Sequence, residues 1–322
     1  MGPNAAVALT NVSKSYGSFR AVDNVSFDVF HGEIFAMLGP NGAGKSTTIR
    51  MILDIMKPDS GSIDVLGGSM QEKTKDRIGY LPEERGLYKK VKVIDTMVYL
   101  GTLKGLSARD ARKKAMSLLE KLDLAEHHNS KVSELSKGMQ QKVQFAVTVL
   151  HEPDLIIVDE PFSGLDPVNT LVIKELILEM KNKGTAVIMS THQMHQIEEM
   201  ADRLMMINHG QQALYGNVED VRQQHALHAV IVEGEGNWES LAGVERVELR
   251  DNERHVRLLH LNKETTSNDL LAQIASDPSV RVTRFEEAVP SLNDIFIRVA
   301  GERVLSTGEV EALNDQRKGT HE

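Results

Sequence analysis

The chain has 322 residues, 37 Lys+Arg against 46 Asp+Glu for a net charge of −9, and no cysteine. That length exceeds most single domains, so a core of roughly 200–250 residues with an appendage is expected. The lack of cysteine excludes a disulfide framework and a cysteine-based zinc site and fits a reducing, cytosolic setting. No apolar run approaches the roughly 18 residues that a membrane helix needs, and no leader-like segment follows Met1. Charge is uneven: residues 1–222 hold 26 basic and 28 acidic side chains, residues 223–322 hold 11 and 18. Neither part is basic enough to make nucleic acid the main partner.

Residues 7–30 alternate apolar and polar, with Val25, Phe27 and Val29 as one set, and predict antiparallel strands. Glu33 to Leu38 is a short, mostly apolar run that predicts a buried parallel strand, and a helix is expected from Ser46 onward. Between them lies Gly39-Pro40-Asn41-Gly42-Ala43-Gly44-Lys45-Ser46, followed by Thr47, which fits the phosphate-loop pattern. Its glycines let successive backbone N–H groups turn toward a phosphate, and the helix start adds the positive end of its dipole. Lys45 supplies a point charge for the β- and γ-phosphates, and the Ser46 hydroxyl is placed to ligate Mg²⁺.

From Asp95 to about Leu150 the pattern is mainly helical, with Arg112-Lys113-Lys114 as a solvated face. Ser136 is a good N-cap for a helix whose apolar positions, Met139, Val143, Ala146, Val147 and Leu150, recur every three or four residues. Leu155 to Val158 predicts a central strand, with Asp159 at its carboxyl end, where ligands bind in parallel α/β sheets. Asp159 can hold Mg²⁺ there, and Glu160 can polarise an attacking water as general base. After a Ser163-Gly164-Leu165-Asp166 turn, Thr185 to Ser190 predicts another strand, with His192 just past its end. A polar helix over Gln193–Arg203, a strand over Leu204–Ile207 and a turn at Asn208-His209-Gly210 follow.

These motifs, in this order, resemble those of the ATP-binding subunit of an ABC transporter. The resemblance implies an α/β fold: a P-loop NTPase core of ABC type with an antiparallel β subdomain and a helical subdomain at about 90–150. It implies that Tyr16, in Lys14-Ser15-Tyr16-Gly17, stacks under the adenine, a contact worth about 1–3 kcal/mol in nucleic-acid systems. It implies that His192 contacts the γ-phosphate, and that Asp166 joins Glu160, His192 and Glu83 in the catalytic set. The stretch Leu135-Ser136-Lys137-Gly138-Met139-Gln140 is similar to the family pattern Leu-Ser-Gly-Gly-Gln, with Lys137 in place of Gly and Met139 in place of Gln. Ser136 and Gly138 are the positions retained, and they imply a second anion site offered to the ATP of an opposing subunit. Glu83 stands where the family has Gln, so a carboxylate there can bind Mg²⁺ more strongly or reproduce the amide's contact. Glu83-Glu84-Arg85-Gly86-Leu87-Tyr88 resembles the sodium-extrusion and type-2 exporter branch.

Beyond residue 222 the pattern restarts. Short strands are predicted over Ala229–Val232, Val244–Leu249, Val256–Leu261 and Val280–Phe285, with helices over Asn268–Ala275 and from Ser291. Residues 1–222 are thus expected as the ATP-binding domain, 223–303 as a small α+β accessory domain like that of exporter-branch ATPases, and 304–322 as a polar tail. The implied assembly is a cytoplasmic ATPase with ATP and Mg²⁺ as cofactors, a second ATP-binding subunit, and a polytopic permease that holds it at the inner face of the cell membrane. A soluble ABC ATPase acting on DNA, ribosomes or Fe–S assembly is the rival class. Zinc cysteines are lacking, only 91 positions separate Lys45 from Ser136, and there is one phosphate loop rather than two. A kinase built on the phosphate loop leaves Leu135–Gln140 and His192 without a purpose.

Overall fold

Six strands form the sheet at the centre of the first of two units, Met1–Val218 and Glu219–Glu322, into which the chain divides. The computed structural model describes residues 5–84, 86–249 and 255–299. The polar tail at 304–322 therefore lies outside the described residues.

β1 (Ala5–Tyr16) and β2 (Phe19–Phe30) pair antiparallel, with Val7 opposite Val29 and Leu9 opposite Phe27, so alternate apolar side chains share one buried face. β3 (Ile34–Leu38) is buried throughout and leads through the phosphate-loop residues into α1 (Lys45–Ile52). β4 (Ser60–Val65) returns to the other side of β1, completing a three-stranded sheet in the order β2-β1-β4. A one-turn helix, α2 (Glu72–Lys75), precedes β5 (Ile78–Leu81).

The helical stretch consists of α3 (Val93–Leu103), α4 (Ala108–Lys121) and α5 (Lys137–Val149), with two 3₁₀ turns between the last two. Ser107 caps α4 and Ser136 caps α5, each accepting a backbone N–H three residues on. α4 buries Ala111, Ala115 and Leu119 along one stripe and leaves Arg112 and Lys113 in solvent.

β6 (Leu155–Asp159), α6 (Pro167–Asn182), β7 (Ala186–Ser190) and α7 (Met194–Met200) follow. α7 is shorter than the helix expected over Gln193–Arg203, because Ala201 turns extended and Arg203 already belongs to the next strand. β8 (Arg203–Asn208) and β9 (Gln211–Asn217) form a hairpin, and α8 (Val218–Gln224) ends the series. Sheet order is β5-β6-β7-β3-β8-β9, parallel throughout except for β9. Strands β3, β6 and β7 are buried along their whole length, as expected of a parallel sheet covered on both faces. Their carboxyl ends bring Gly39, Asp159 and the residues after Ser190 to one edge.

The second unit contains β10 (Ala229–Glu235), β11 (Val244–Leu249), β12 (Val256–Leu261), α9 (Ser267–Ser276) and β13 (Arg281–Glu287), with a last helix over residues 292–299. Its four strands form an antiparallel sheet in the order β11-β12-β10-β13. Val230, Val232, Leu259 and Leu261 of that sheet pack with Trp238 and with Leu270 and Ile274 of α9.

Candidate nucleotide and catalytic site

The phosphate loop is fixed by close backbone contact. Gly44 has φ +116°, and a Cβ there would lie 2.4 Å from the Ala21 carbonyl oxygen. Gly39 has φ +150°, and a Cβ would lie 2.2 Å from the Ile207 carbonyl oxygen. Both positions exclude any side chain, so β2 and β8 can clasp the loop from two sides. Within the loop, Ala43 N donates to Pro40 O at 3.2 Å. No side chain caps the start of α1, which leaves its first N–H groups for an incoming anion.

Lys45 Nζ donates to the carbonyls of Gly39 at 2.6 Å and Pro40 at 3.0 Å, folding the ammonium back over the loop. Burial pushes its pKa below the ordinary lysine value, and the carboxylates of Glu160, Asp159 and Glu83 oppose that shift. The carboxyl of Asp159 moves the other way: burial raises its pKa, Glu83 and Glu160 add to the rise, and Lys45 counteracts it. Lys45, Glu83 and the adjacent pair Asp159 and Glu160, distant from one another along the chain, are thus within electrostatic reach of one another. Glu83, Asp159 and Glu160 also line one small cavity of about 60 Å³, together with Gln141 and Gln144 of α5.

Glu160 follows β6 with φ +50°, a left-handed conformation that a non-glycine residue adopts only when its surroundings hold it there. Its backbone N–H donates to Ser190 O at 2.8 Å. Oε1 accepts the His192 N–H at 2.9 Å and lies 2.6 Å from His192 Nδ1, while Oε2 accepts from Thr191 Oγ1 at 3.1 Å. A carboxylate only accepts, so Nδ1 carries the proton and Nε2 is left for another partner. The His192 side chain is 69% exposed and that of Glu160 10%.

Other residues named from the sequence stand apart from this cluster. Tyr16 ends β1, is half exposed, and donates its hydroxyl to Met56 Sδ at 3.2 Å. Ser136 is exposed at the start of α5, and an added Cβ on Gly138 would meet only Asn169 and Leu165, each at 3.7 Å. Asp166 caps α6, accepting from Asn169 N at 2.9 Å and from the Asn169 side-chain amide; these bonds hold its carboxyl below the ordinary value. Ser46 and Thr47 begin α1, with Ser46 exposed.

Oxygen donors fit a magnesium ion here. Mg²⁺ takes one or two carboxylates with substrate phosphates rather than an all-protein cage. No group of three or more His, Cys, Asp or Glu poised around a metal occurs among the described residues. Thr191, Gln141 and Gln144 are site residues that the sequence does not reveal. Thr191 carries no local signal beyond its place next to His192, and the two glutamines read as one polar side of an amphipathic helix.

Comparison with known proteins decides the family. A model of the ABC transporter domain matches residues 22–163. The ABC transporter ATP-binding protein YhaQ of Bacillus subtilis is 38% identical over 296 residues, 92% of this chain and 98% of that one. The chain belongs to the ABC transporter ATP-binding proteins. The Nod factor export ATP-binding protein I of a Rhizobium species is 33% identical, covering 92% of this ABC protein and 97% of its own length. Among solved structures, the ATP binding subunit of an ABC transporter superposes with a TM-score of 0.64 at 32% identity, over 68% of this chain and 93% of that one. A model described as ATP-binding protein DrrA1-3-like, C-terminal domain, matches residues 216–300, which contain the four-stranded sheet of the second unit. The ABC protein described here is accordingly an ATPase that binds nucleotide, and it has an exporter-type relative.

Proposed function

We propose that this ABC protein is the ATP-hydrolysing subunit of an exporter, two copies of which, or one copy and a close relative, enclose two ATP molecules and drive a separate permease. The observation that carries the reading is the convergence of Lys45, Asp159, Glu160 and Glu83 beside the uncapped start of α1. In this reading the loop amides from Gly39 to Thr47, with Lys45, hold the triphosphate, and Tyr16 stacks on the adenine. Ser46, Asp159 and Glu83 would hold Mg²⁺, which would supply positive charge to offset that of the triphosphate. Glu160 takes a proton from the water that attacks the γ-phosphorus, the bridging bond to the β-phosphate breaks, and ADP leaves. His192 contacts the γ-phosphate from just past the end of β7. Asp166 holds the turn before α6 in place. Residues 1–222 form the ATP-binding domain and residues 223–303 the accessory domain in this scheme.

The Ser136 helix start faces solvent with Gly138 beside it, which suits an anion brought by another subunit. No helix among the described residues is long and apolar enough to cross a membrane, so the pore is assigned to another chain and this subunit to the cytoplasmic face. A groove of about 360 Å³ lined by Leu53, Ile55, Ile78, Tyr80, Leu100 and Leu103 supports permease docking. Ile55 and Leu103 stand 63% and 60% exposed at it, the kind of surface that takes an amphipathic helix.

A mixed dimer tests the shared site. K45A and S136R chains, mixed, leave one composite site intact and put both lesions in the other. The mixture is expected to trap one ATP per dimer on size exclusion where neither variant alone traps any. No trapping by the mixture, under conditions where the wild type traps ATP, overturns the shared site.

A further inference from the structure

Thr191 has no role in the scheme above. It follows β7 directly and is fully buried. Its hydroxyl sits between two partners: it accepts the Gln193 N–H at 3.2 Å and donates to Glu160 Oε2 at 3.1 Å. A hydroxyl has one hydrogen, the Gln193 amide brings its own, and an ionised carboxylate brings none. The hydrogen of Thr191 therefore points at Glu160.

The other carboxylate oxygen is held by His192, through the backbone N–H at 2.9 Å and Nδ1 at 2.6 Å. The two side-chain holds differ in how easily they are released. The imidazole of His192 is mostly in solvent, so it can swing away at small cost. Thr191 cannot leave without opening the end of the sheet, because it is buried and its hydroxyl is also tied to the chain at Gln193. Carboxylate orientation matters for a general base, since the lone pair that accepts the proton must face the water.

We propose that Thr191 is a positioning residue for ATP hydrolysis, its buried hydroxyl fixing the plane of the Glu160 carboxylate. This rests on the assignment of Glu160 as general base. Val keeps the shape of Thr191 and removes its donor; Ser keeps the donor and removes a methyl group.

The test measures steady-state ATP hydrolysis by the full-length T191V, T191A, T191S and E160Q proteins against wild type, with affinity for a fluorescent ATP analogue and thermal unfolding alongside. T191V and T191A are expected to lose kcat on the order of tenfold, as for a hydrogen bond to a charged group. KM and nucleotide affinity stay within about twofold, because the triphosphate contacts are untouched, and T191S stays within about threefold of wild-type kcat. Wild-type kcat in T191V or T191A overturns the proposal, as does a loss confined to KM, or a T191S loss as large as that of T191V. Should T191V melt too low to assay, T191A against T191S at a temperature where both are folded decides the same question. E160Q separates the two assignments. Hydrolysis by E160Q at the wild-type rate removes the general base itself, whereas an inactive E160Q beside a fully active T191V removes only the role of Thr191.

Discussion

Asp159 and Asp269 are both carboxylates at the end of a secondary-structure element, and their surroundings push them in opposite directions. Asp159, in the first unit, is buried beside Glu83 and Glu160, and burial raises its pKa. Asp269, in the first turn of α9 in the second unit, is exposed; the Thr266 hydroxyl at 2.7 Å and the Thr266 amide at 3.0 Å hold its pKa below the ordinary value. The contrast is local to the site, because Asp166 in the first unit also caps a helix and has a lowered pKa. At the site in the first unit, charges are withdrawn from water and placed near one another, and Glu160 is kept in a left-handed backbone conformation. In the second, carboxylates serve as helix and turn caps at Thr266–Asp269, Asp277–Ser279 and Ser291–Asp294. A site that binds a nucleotide is built from groups that destabilise the empty fold. A unit without such a site can use each polar group to close an element.

The largest effect is expected from E160Q in the first unit. It should lower ATP hydrolysis by about 10²–10⁴ while leaving ATP binding intact, since the size of the side chain and Asp159 are both kept. Turnover by the purified variant at the wild-type rate would sink the assignment.

Glycines at crowded backbone positions occur in both units and sharpen the comparison. G44A places a Cβ 2.4 Å from the Ala21 carbonyl, and G234A places one 2.0 Å from the Arg281 carbonyl; both residues have positive φ. G44A is expected to weaken ATP binding at least about tenfold by reshaping the loop. G234A should loosen the β10–β13 pairing, seen as faster proteolysis within the second unit, with ATP affinity unchanged. A drop in affinity for G234A as large as for G44A would break the distinction between the two units.

The two carboxylates give stability effects of opposite sign. The raised pKa of Asp159 means that its contribution is fully present when it is protonated and is lost as pH rises through the raised value. Asn mimics the protonated form, so D159N should raise the Tm of the nucleotide-free protein by a few degrees at pH 7–8, and the gain should shrink on acidification. The depressed pKa of Asp269 works the other way: its contribution is present above the ordinary value of 3.8 and is lost as pH falls through the depressed one. D269N should therefore give a smaller drop in Tm at neutral pH that vanishes in acid. Thermal unfolding at two pH values reads both, and a lower Tm for D159N at pH 8 would remove burial as the governing influence at Asp159.

The smallest effect is expected from removing residues 225–322, just after α8. Every residue assigned to the nucleotide precedes that cut, so ATP affinity should stay within about twofold. Loss of affinity in a well-folded truncated protein would draw the second unit into the site.

Contiguous stretches carry most of the legible signal. The apolar run before Gly39 and the run ending at Asp159 are short and uninterrupted, and both are fully buried parallel strands. Alternation over residues 7–30 is equally readable, and it is the β1–β2 hairpin. Less is visible where an element depends on its neighbours. β5 is four residues containing a glycine and a tyrosine, too short to show a period, and it is a strand because β6 pairs with it. The Ser163–Asp166 segment reads as a turn, whereas Asp166 also caps a 16-residue helix that was not expected from the sequence.

Residue types alone determined that this protein has a glycine-bent phosphate loop, a buried strand ending in two acids, a serine-capped helix and a second unit toward its carboxyl end, because each is set by local backbone preference and local hydrophobic period. Only the tertiary structure decided which of them meet. Strand order β5-β6-β7-β3 puts Glu83, Asp159, Thr191 and Lys45 at neighbouring strand ends, although as many as 146 positions separate them in the chain. Parallel strands look alike as apolar runs, so their order is set by long-range packing and crossover connections, and no local window contains it. The buried hydroxyl that holds Glu160 belongs to that second category: it became visible only when β6 and β7 were placed side by side.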